Sequence, residues 1–276
     1  MDTNRALEKE KKLKEILLQM ERVIIAFSGG VDSTYLLKVA LDTLGEENVL
    51  AVTADSESFP PSELKETKRL AAALEAPHQI IEMSELAIPG YAENDANRCY
   101  FCKKGLFERL SPLLQEKEFK NLTFGLIKDD LGDHRPGVQA AVDNNVRGPL
   151  AEADMSKDDI RIRAKELGID NWDKPSLACL SSRIAYGERI TIEKLKKVDE
   201  AEQFIKGLEI RQVRVRVHNE IARIEVEPSD MMRLLEHHEE IDTFLKSLHF
   251  KYVTLDMKGY KSGSMNNMLE RGALLS

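Results

Sequence analysis

Three cysteines in 276 residues are too few, and of the wrong parity, for a disulfide framework. Long apolar runs are missing too: no stretch approaches the roughly 18 unbroken apolar residues of a membrane span. The segment from Met1 to Met20 is charged throughout and has no apolar core of the kind a secretory signal carries. A cytoplasmic protein without a membrane partner is therefore expected. Positive charge is not in excess, with 40 Lys and Arg against 48 Asp and Glu, a net charge of −8. That balance argues against a nucleic-acid partner, whose footprint normally shows as a basic face, but leaves room for a local basic pocket. Internal repeats and low-complexity tracts are also absent. At 42% hydrophobic residues, the chain can build one large domain, or a medium one with a smaller companion.

What is present begins with Val23-Ile24-Ile25-Ala26-Phe27, an apolar, β-branched run with the look of a buried strand. It breaks at Ser28-Gly29-Gly30-Val31-Asp32-Ser33 and resumes with helical spacing from Thr34 to Leu41. Strand, tight polar loop and helix start make an anion site. Glycine lets the backbone approach a phosphate without a Cβ between them, and the first N–H groups of the helix point at it. Ser28 and Ser33 add hydroxyl donors. Asp32 would repel phosphates unless a divalent cation such as Mg²⁺ sat between them. An ordinary αβ turn is the plainer account. No Gly-Lys-Ser/Thr closes the loop, so it is not of the Walker type. The stretch resembles the SGGxDS loop of the N-type ATP pyrophosphatases, the PP-loop superfamily that includes GMP synthetase, NAD synthetase and tRNA-thiolating enzymes. That resemblance implies an adenine nucleotide alpha hydrolase-like fold. It also implies ATP cleavage between the α- and β-phosphates, to adenylate a substrate. Ser28, Gly29, Gly30, Asp32 and Ser33 would bind ATP, with Asp55 and Ser56 near the nucleotide; a helix-capping cluster is the alternative for the last two.

The rest of the first part alternates. The pattern predicts helices over 5–20, from Pro60-Pro61 to about Ala76, and from Lys103 to Glu118. Strands are expected over 48–54, 78–83 and 121–127. Such alternation predicts an α/β fold on a parallel sheet, with ligands beyond the carboxyl ends of the strands. The loops after Phe27, Ala54, Met83 and Ile127 should then line one crevice. The loop Lys128 to Gly137 is either a solvated turn or part of that crevice, where Arg135 would neutralise a phosphate or adenylate and the carboxylates would hold Mg²⁺. Ser156 opens a further helix with Asp159 three residues on, and Gly168 ends it. The stretch Lys174 to Arg183 has neither helical nor strand period, as a functional loop would.

After Tyr186-Gly187 the character changes. A helix is expected over 191–207 and a hairpin from QVRVRV at 212–217 and IARIEV at 221–226. A helix over 229–248 and a strand over 252–257 follow. The expected division is a PP-loop domain over 1–186 and a small α+β domain over 187–276, serving substrate binding or oligomerisation.

Cys99-Tyr100-Phe101-Cys102, in the connection after the third strand, can grip one metal centre. A redox pair or a zinc half-site would use the same spacing. Structural zinc wants four protein ligands; a fourth cysteine is absent, and a histidine would have to come from His78 or His134. Cys179, in the second functional-looking loop, brings the thiols to three. That suffices for a [4Fe–4S] cluster with one iron left open, although Cys₄ ligation is usual.

SGGVDS at 28–33, DHRPG at 133–137, KPSLACLSSRIAYG at 174–187 and VRVRVHNEIARIE at 213–225 together resemble the LarE family over nearly the whole chain. These are ATP-dependent sulfur transferases of nickel-pincer nucleotide cofactor biosynthesis. The resemblance implies adenylation of a carboxylate of pyridinium-3,5-biscarboxylic acid mononucleotide and its conversion to a thiocarboxylate. In one branch the cysteine at the Cys179 position sacrifices its own sulfur. In the other, three cysteines hold a catalytic [4Fe–4S] cluster, and Cys99, Cys102 and Cys179 match that branch. Arg214 and Arg216 are implied to bind the substrate's 5′-phosphate, with Glu202 and Glu225 nearby and Ser182 and Arg183 flanking Cys179. A solvated strand face paired with Glu225 is the alternative for the two arginines. The family also implies a homohexamer. A tRNA thiolase, an amidating synthetase and an ATP-binding regulator with structural zinc are the rival readings.

Overall fold

The structure, a computed structural model, describes residues 3–131, 136–175 and 178–261. One compact unit is formed by the described residues of Met1–Ser84 and Cys99–Leu177, the other by those of Glu85–Arg98 and Ala178–Ser276. The contacts part at Ala178, ahead of the change of composition after Gly187. The reason is that the intervening loop packs with the second unit: Ile184 bridges to Val217, and Asn94 Nδ2 donates to the carbonyls of Ile184, Ala185 and Glu188.

The first unit runs α1 (Thr3–Met20), β1 (Val23–Ala26), α2 (Val31–Leu44), β2 (Val49–Asp55), α3 (Pro61–Ala73), β3 (His78–Glu82), α4 (Arg98–Glu116), β4 (Asn121–Phe124), α5 (Pro136–Asp143), α6 (Pro149–Glu152) and α7 (Lys157–Glu166). Its four strands are parallel, in the order β3-β2-β1-β4. The two-residue period of a strand sorts the core. Val23, Ile25 and Phe27 pack with apolar residues of α1, α2, α3 and α7. Ile24 joins Leu50, Val52, Leu122 and Phe124 against Phe107, Leu110 and Leu113 of α4. Both sheet faces are covered, which is why β1 reads as a continuous apolar run rather than an alternating one. The α/β architecture expected from the sequence is therefore present.

Two boundaries differ from expectation with consequences. β4 stops at Phe124, and the chain leaves the sheet at Gly125. α4 begins at Arg98, so Cys99 and Cys102 lie in its first turn and not in the connection before it. Cysteine and aromatics are weak helix formers, which hides this start in the sequence.

α7 is capped as its sequence requires: Ser156 Oγ accepts from Asp159 N, and Asp159 Oδ2 accepts from Ser156 N. Ser156→Ala should cost about 1 kcal/mol, read as a lower urea midpoint. Asp159 is fully buried and also accepts from Lys9 Nζ at 2.8 Å and Arg5 Nη2 at 3.2 Å. Burial alone would raise its pKa, but the bonds from Lys9 and Ser156 and the charge of Lys9 outweigh it and hold the carboxyl well below the usual range. A depressed native pKa stabilises above the unfolded value and is lost as pH falls toward the native one. Asp159→Asn should accordingly flatten the fall of stability below about pH 4 in a series of denaturation midpoints.

The second unit holds α8 (Ile192–Gly207), β5 (Val213–His218), β6 (Ile221–Val226), α9 (Met231–Glu236), α10 (His238–Ser247) and β7 (Tyr252–Leu255). The hairpin is antiparallel, its turn made with Asn219 at φ 53°, and β7 adds parallel to β6. The single helix expected over 229–248 is broken at His237 into α9 and α10. Among the described residues no helix is long and apolar enough to cross a membrane.

Candidate active site

The loop between β1 and α2 is built for close backbone approach. Gly29 has φ +69°, and a Cβ there would lie 2.8 Å from Thr67 Cγ2. Gly30 stands at the N-cap of α2 and, having no side chain, makes no side-chain cap hydrogen bond. Ser33 Oγ donates to Gly30 O at 3.1 Å and lies 3.1 Å from Ser28 Oγ. Asn171 Nδ2 donates to Gly29 O at 3.0 Å and to Thr34 Oγ1 at 3.1 Å. Lys174 Nζ reaches Gly29 O at 3.3 Å while paired with Glu63 at 2.7 Å. On the other side, a Cβ on Gly125 would stand 3.0 Å from Ser33 N, so the chain leaving β4 runs against the start of α2. β1 has β2 on one side and β4 on the other, which makes this the topological switch point of the sheet, the place where open α/β folds bind ligands. Gly29→Ala should cost about 1–2 kcal/mol of left-handed strain and displace Thr67. Nucleotide affinity measured by calorimetry should fall with the denaturation midpoint.

Asp32, in the first turn of α2, accepts from Lys157 Nζ with both carboxylate oxygens, each at 2.8 Å. Burial raises its pKa, against the lowering charge and hydrogen bond of Lys157, and Asp130 raises it further. Lys157 is itself fixed at the first position of α7, where its backbone N–H donates to Asp129 Oδ2 at 2.8 Å. Asp130 is turned inward to accept from Ile127 N at 3.2 Å. Asp55 and Ser56 stand half-buried at the carboxyl end of β2. Arg135, expected to face the phosphates, lies outside the described residues, as does His134.

Of the cysteines, none is in a disulfide; Cys99 is exposed and Cys102 and Cys179 are half-buried. A three-residue spacing in the first turn of α4 puts Cys99 and Cys102 on one helix face. The start of α5 packs beside them, a Cβ on Gly137 falling 3.7 Å from Cys99 O. Cys179 belongs to the second unit, where it caps the 3-10 turn Leu180–Arg183. Among the described residues no three His, Cys, Asp or Glu side chains are grouped as a metal site. Two thiols on one face of the first turn of α4, neither in a disulfide, are donors of the type that an iron–sulfur cluster takes. His78 Nε2 lies 2.8 Å from Thr53 Oγ1.

The second unit carries a buried charge cluster. Arg183 forks onto Glu202, Nε to Oε1 at 2.8 Å and Nη2 to Oε2 at 3.0 Å, and its Nη1 donates to Ala178 O and Cys179 O. Glu202 also accepts from Val215 N at 3.0 Å. Arg216 pairs with Glu225 at 2.8 Å and donates to Ser182 O at 3.0 Å, while Arg223 takes the other Glu225 oxygen at 2.8 Å. Arg214 lies with its guanidinium 5.4 Å from the Tyr260 ring centroid. Arg214 and Arg216 are only 6% and 5% exposed, so the solvated strand face allowed by strict alternation is not what forms. Arg223 Nε also lies 3.6 Å from Asp256 Oδ2, so Arg183, Arg214, Arg216 and Arg223 stand among Glu202, Glu225 and Asp256. Burial, and then the neighbouring Arg183, lower the pKa of Arg214. Burial works against ionised Glu202, but Arg183 overcomes it and the carboxyl stays below its usual range.

Sequence reasoning missed Lys157, Asn171, Gly125 and Arg223. Lys157 reads only as the residue after a cap, and nothing in its spacing links it to Asp32.

A family model for NAD synthase matches residues 7–99, the segment holding the glycine loop. Over 266 residues the chain is 39% identical to pyridinium-3,5-bisthiocarboxylic acid mononucleotide synthase of Lactiplantibacillus plantarum, covering 96% of each chain. The chain belongs to the LarE family. An uncharacterised protein of Synechocystis sp. is 42% identical over 95% of this chain and 98% of its own. One of Methanocaldococcus jannaschii is 31% identical over 93% and 98%. As a LarE-family member the chain is an ATP-dependent, sulfur-transferring enzyme on a PP-loop fold.

Proposed function

We propose that this protein adenylates a carboxylate of pyridinium-3,5-biscarboxylic acid mononucleotide and replaces the activated oxygen with sulfur, giving a thiocarboxylate, AMP and pyrophosphate. The observation that carries the reading is the Ser28–Ser33 loop at the switch point, with an acidic residue in the first turn of the helix it opens.

The loop N–H groups and the two serine hydroxyls would bind the β- and γ-phosphates, and Asp32 would hold Mg²⁺, which would neutralise their charge. A carboxylate oxygen of the substrate attacks the α-phosphorus. The bond to the β-phosphate oxygen breaks, and its electron pair leaves with pyrophosphate, stabilised by the loop donors. A sulfur nucleophile then adds to the acyl carbon. The C–O bond to AMP breaks, AMP takes the electron pair, and the proton of the hydrosulfide passes to solvent. Arg214 and Arg216 would bind the 5′-phosphate of the mononucleotide, since a guanidinium matches two phosphate oxygens. Cys99, Cys102 and Cys179 would hold a [4Fe–4S] cluster, which when bound supplies sulfide for the second step. Cysteines kept out of disulfides suit a cytoplasmic setting.

Anaerobic purification followed by iron, zinc and labile-sulfide analysis tests the sulfur source. Iron and sulfide are expected in the wild type and should be lost in Cys99→Ser and Cys102→Ser, with substrate-dependent pyrophosphate release retained. Zinc without iron would overturn the cluster assignment. Peptide mass spectrometry of Cys179 after turnover should find it intact; loss of its sulfur would establish the sacrificial route instead.

A further inference from the structure

The carboxylate proposed to meet Mg²⁺ already has a cation on it. Lys157 Nζ sits at 2.8 Å from both oxygens of Asp32, on the bisecting approach that a metal ion would also take. Both side chains are only partly covered, 27% exposed for Lys157 and 25% for Asp32, so the ammonium has room to leave. The backbone of Lys157 does not need to follow. Its N–H is held by Asp129 at 2.8 Å, and the helix it opens is fixed by the Ser156–Asp159 box. A four-carbon stem can swing while its base stays in place.

Resting on the ATP reading above, we propose that Lys157 and the divalent cation exchange at Asp32. Lys157 neutralises the carboxylate until the metal–nucleotide arrives, then releases it to the metal. Lys157 is thus a positioning residue that sets the metal affinity of the site. A dication outcompetes an ammonium at a carboxylate it can approach as closely, because the attraction scales with charge. The exchange also spares the loop an uncompensated, partly buried carboxylate beside phosphate.

The test uses Mn²⁺ alone, titrated into the full-length protein without nucleotide and read by EPR. Lys157→Met removes the competitor, so Mn²⁺ should bind roughly threefold to tenfold more tightly than to the wild type, the equivalent of a half-exposed ion pair. Asp32→Asn should abolish that gain when combined with it. Lys157→Arg should act the opposite way: a guanidinium forks onto both oxygens and holds them harder, raising the Mg²⁺ concentration needed for ATP binding. A merely structural lysine would be replaced by arginine without effect on that requirement. In the unmutated protein, acetylation of Lys157 followed by peptide mass spectrometry should speed up as Mn²⁺ is added, a readout independent of folding in any variant. Unchanged Mn²⁺ affinity in Lys157→Met, or unchanged acetylation, would overturn the exchange. Failure of the wild type to bind ATP would overturn the functional reading instead, leaving the metal titration to stand by itself.

Discussion

Asp32→Ala is expected to lower substrate-dependent pyrophosphate release by about 100-fold or more, the scale of losing a charge-stabilising group aimed at a developing anion. The carboxylate stands in the first turn of α2, beside the glycine loop, where phosphate would be bound by backbone N–H groups. A lone carboxylate there hinders an anion; a carboxylate carrying Mg²⁺ assists it. The same substitution should leave the denaturation midpoint nearly unchanged, because the Asp32–Lys157 pair is partly exposed and such pairs contribute at most about 1 kcal/mol. A large loss of activity with little loss of stability separates a chemical role from a structural one. Pyrophosphate release at the wild-type rate would remove Asp32 from the site.

Glu202→Gln is expected to have the opposite profile, a fall in stability of about 3–5 kcal/mol, because it leaves the charge of Arg183 buried without its partner. Against a typical total of about 5–15 kcal/mol, that is enough to unfold much of the second unit near body temperature. Arg183 and Glu202 are 3% and 2% exposed, and Glu202 also accepts from Val215 N, so the loss reaches β5. The double variant Arg183→Met with Glu202→Leu should recover most of the stability, since replacing both ions by apolar groups avoids the desolvation cost. It should not recover function: Arg183 Nη1 binds the carbonyls of Ala178 and Cys179 and so sets the backbone around the third thiol. Urea denaturation with thiocarboxylate formation measured in parallel checks both halves.

Asp32 and its partner Lys157 also show what the sequence could and could not reveal. Asp32 was legible because its signal is local: an apolar run, two glycines and a helix start lie within a dozen residues and point to one chemistry. The parallel sheet was legible for the same reason, each strand and helix announcing its own period. Lys157 was not, since its meaning depends on α7 packing beside α2, a contact that leaves no mark in local spacing. The cluster around Glu225 was half legible. Strict alternation located Arg214 and Arg216 on one side of β5, but alternation cannot tell a wet face from one covered by the carboxylates and carbonyls of its own unit. The start of α4 was misjudged because Cys, Tyr and Phe form helices poorly by themselves, although α4 extends to Arg98 in the fold.

The central claim is that ATP is opened at its α-phosphorus so that sulfur can take the place of a carboxylate oxygen. It is met most directly by following the products of ATP with pyridinium-3,5-biscarboxylic acid mononucleotide and the anaerobically prepared enzyme, by phosphorus NMR and mass spectrometry together. The account predicts AMP and pyrophosphate in step with a substrate that has exchanged oxygen for sulfur. ADP and orthophosphate, or AMP formed equally well without the mononucleotide and with no sulfur gained, would contradict it.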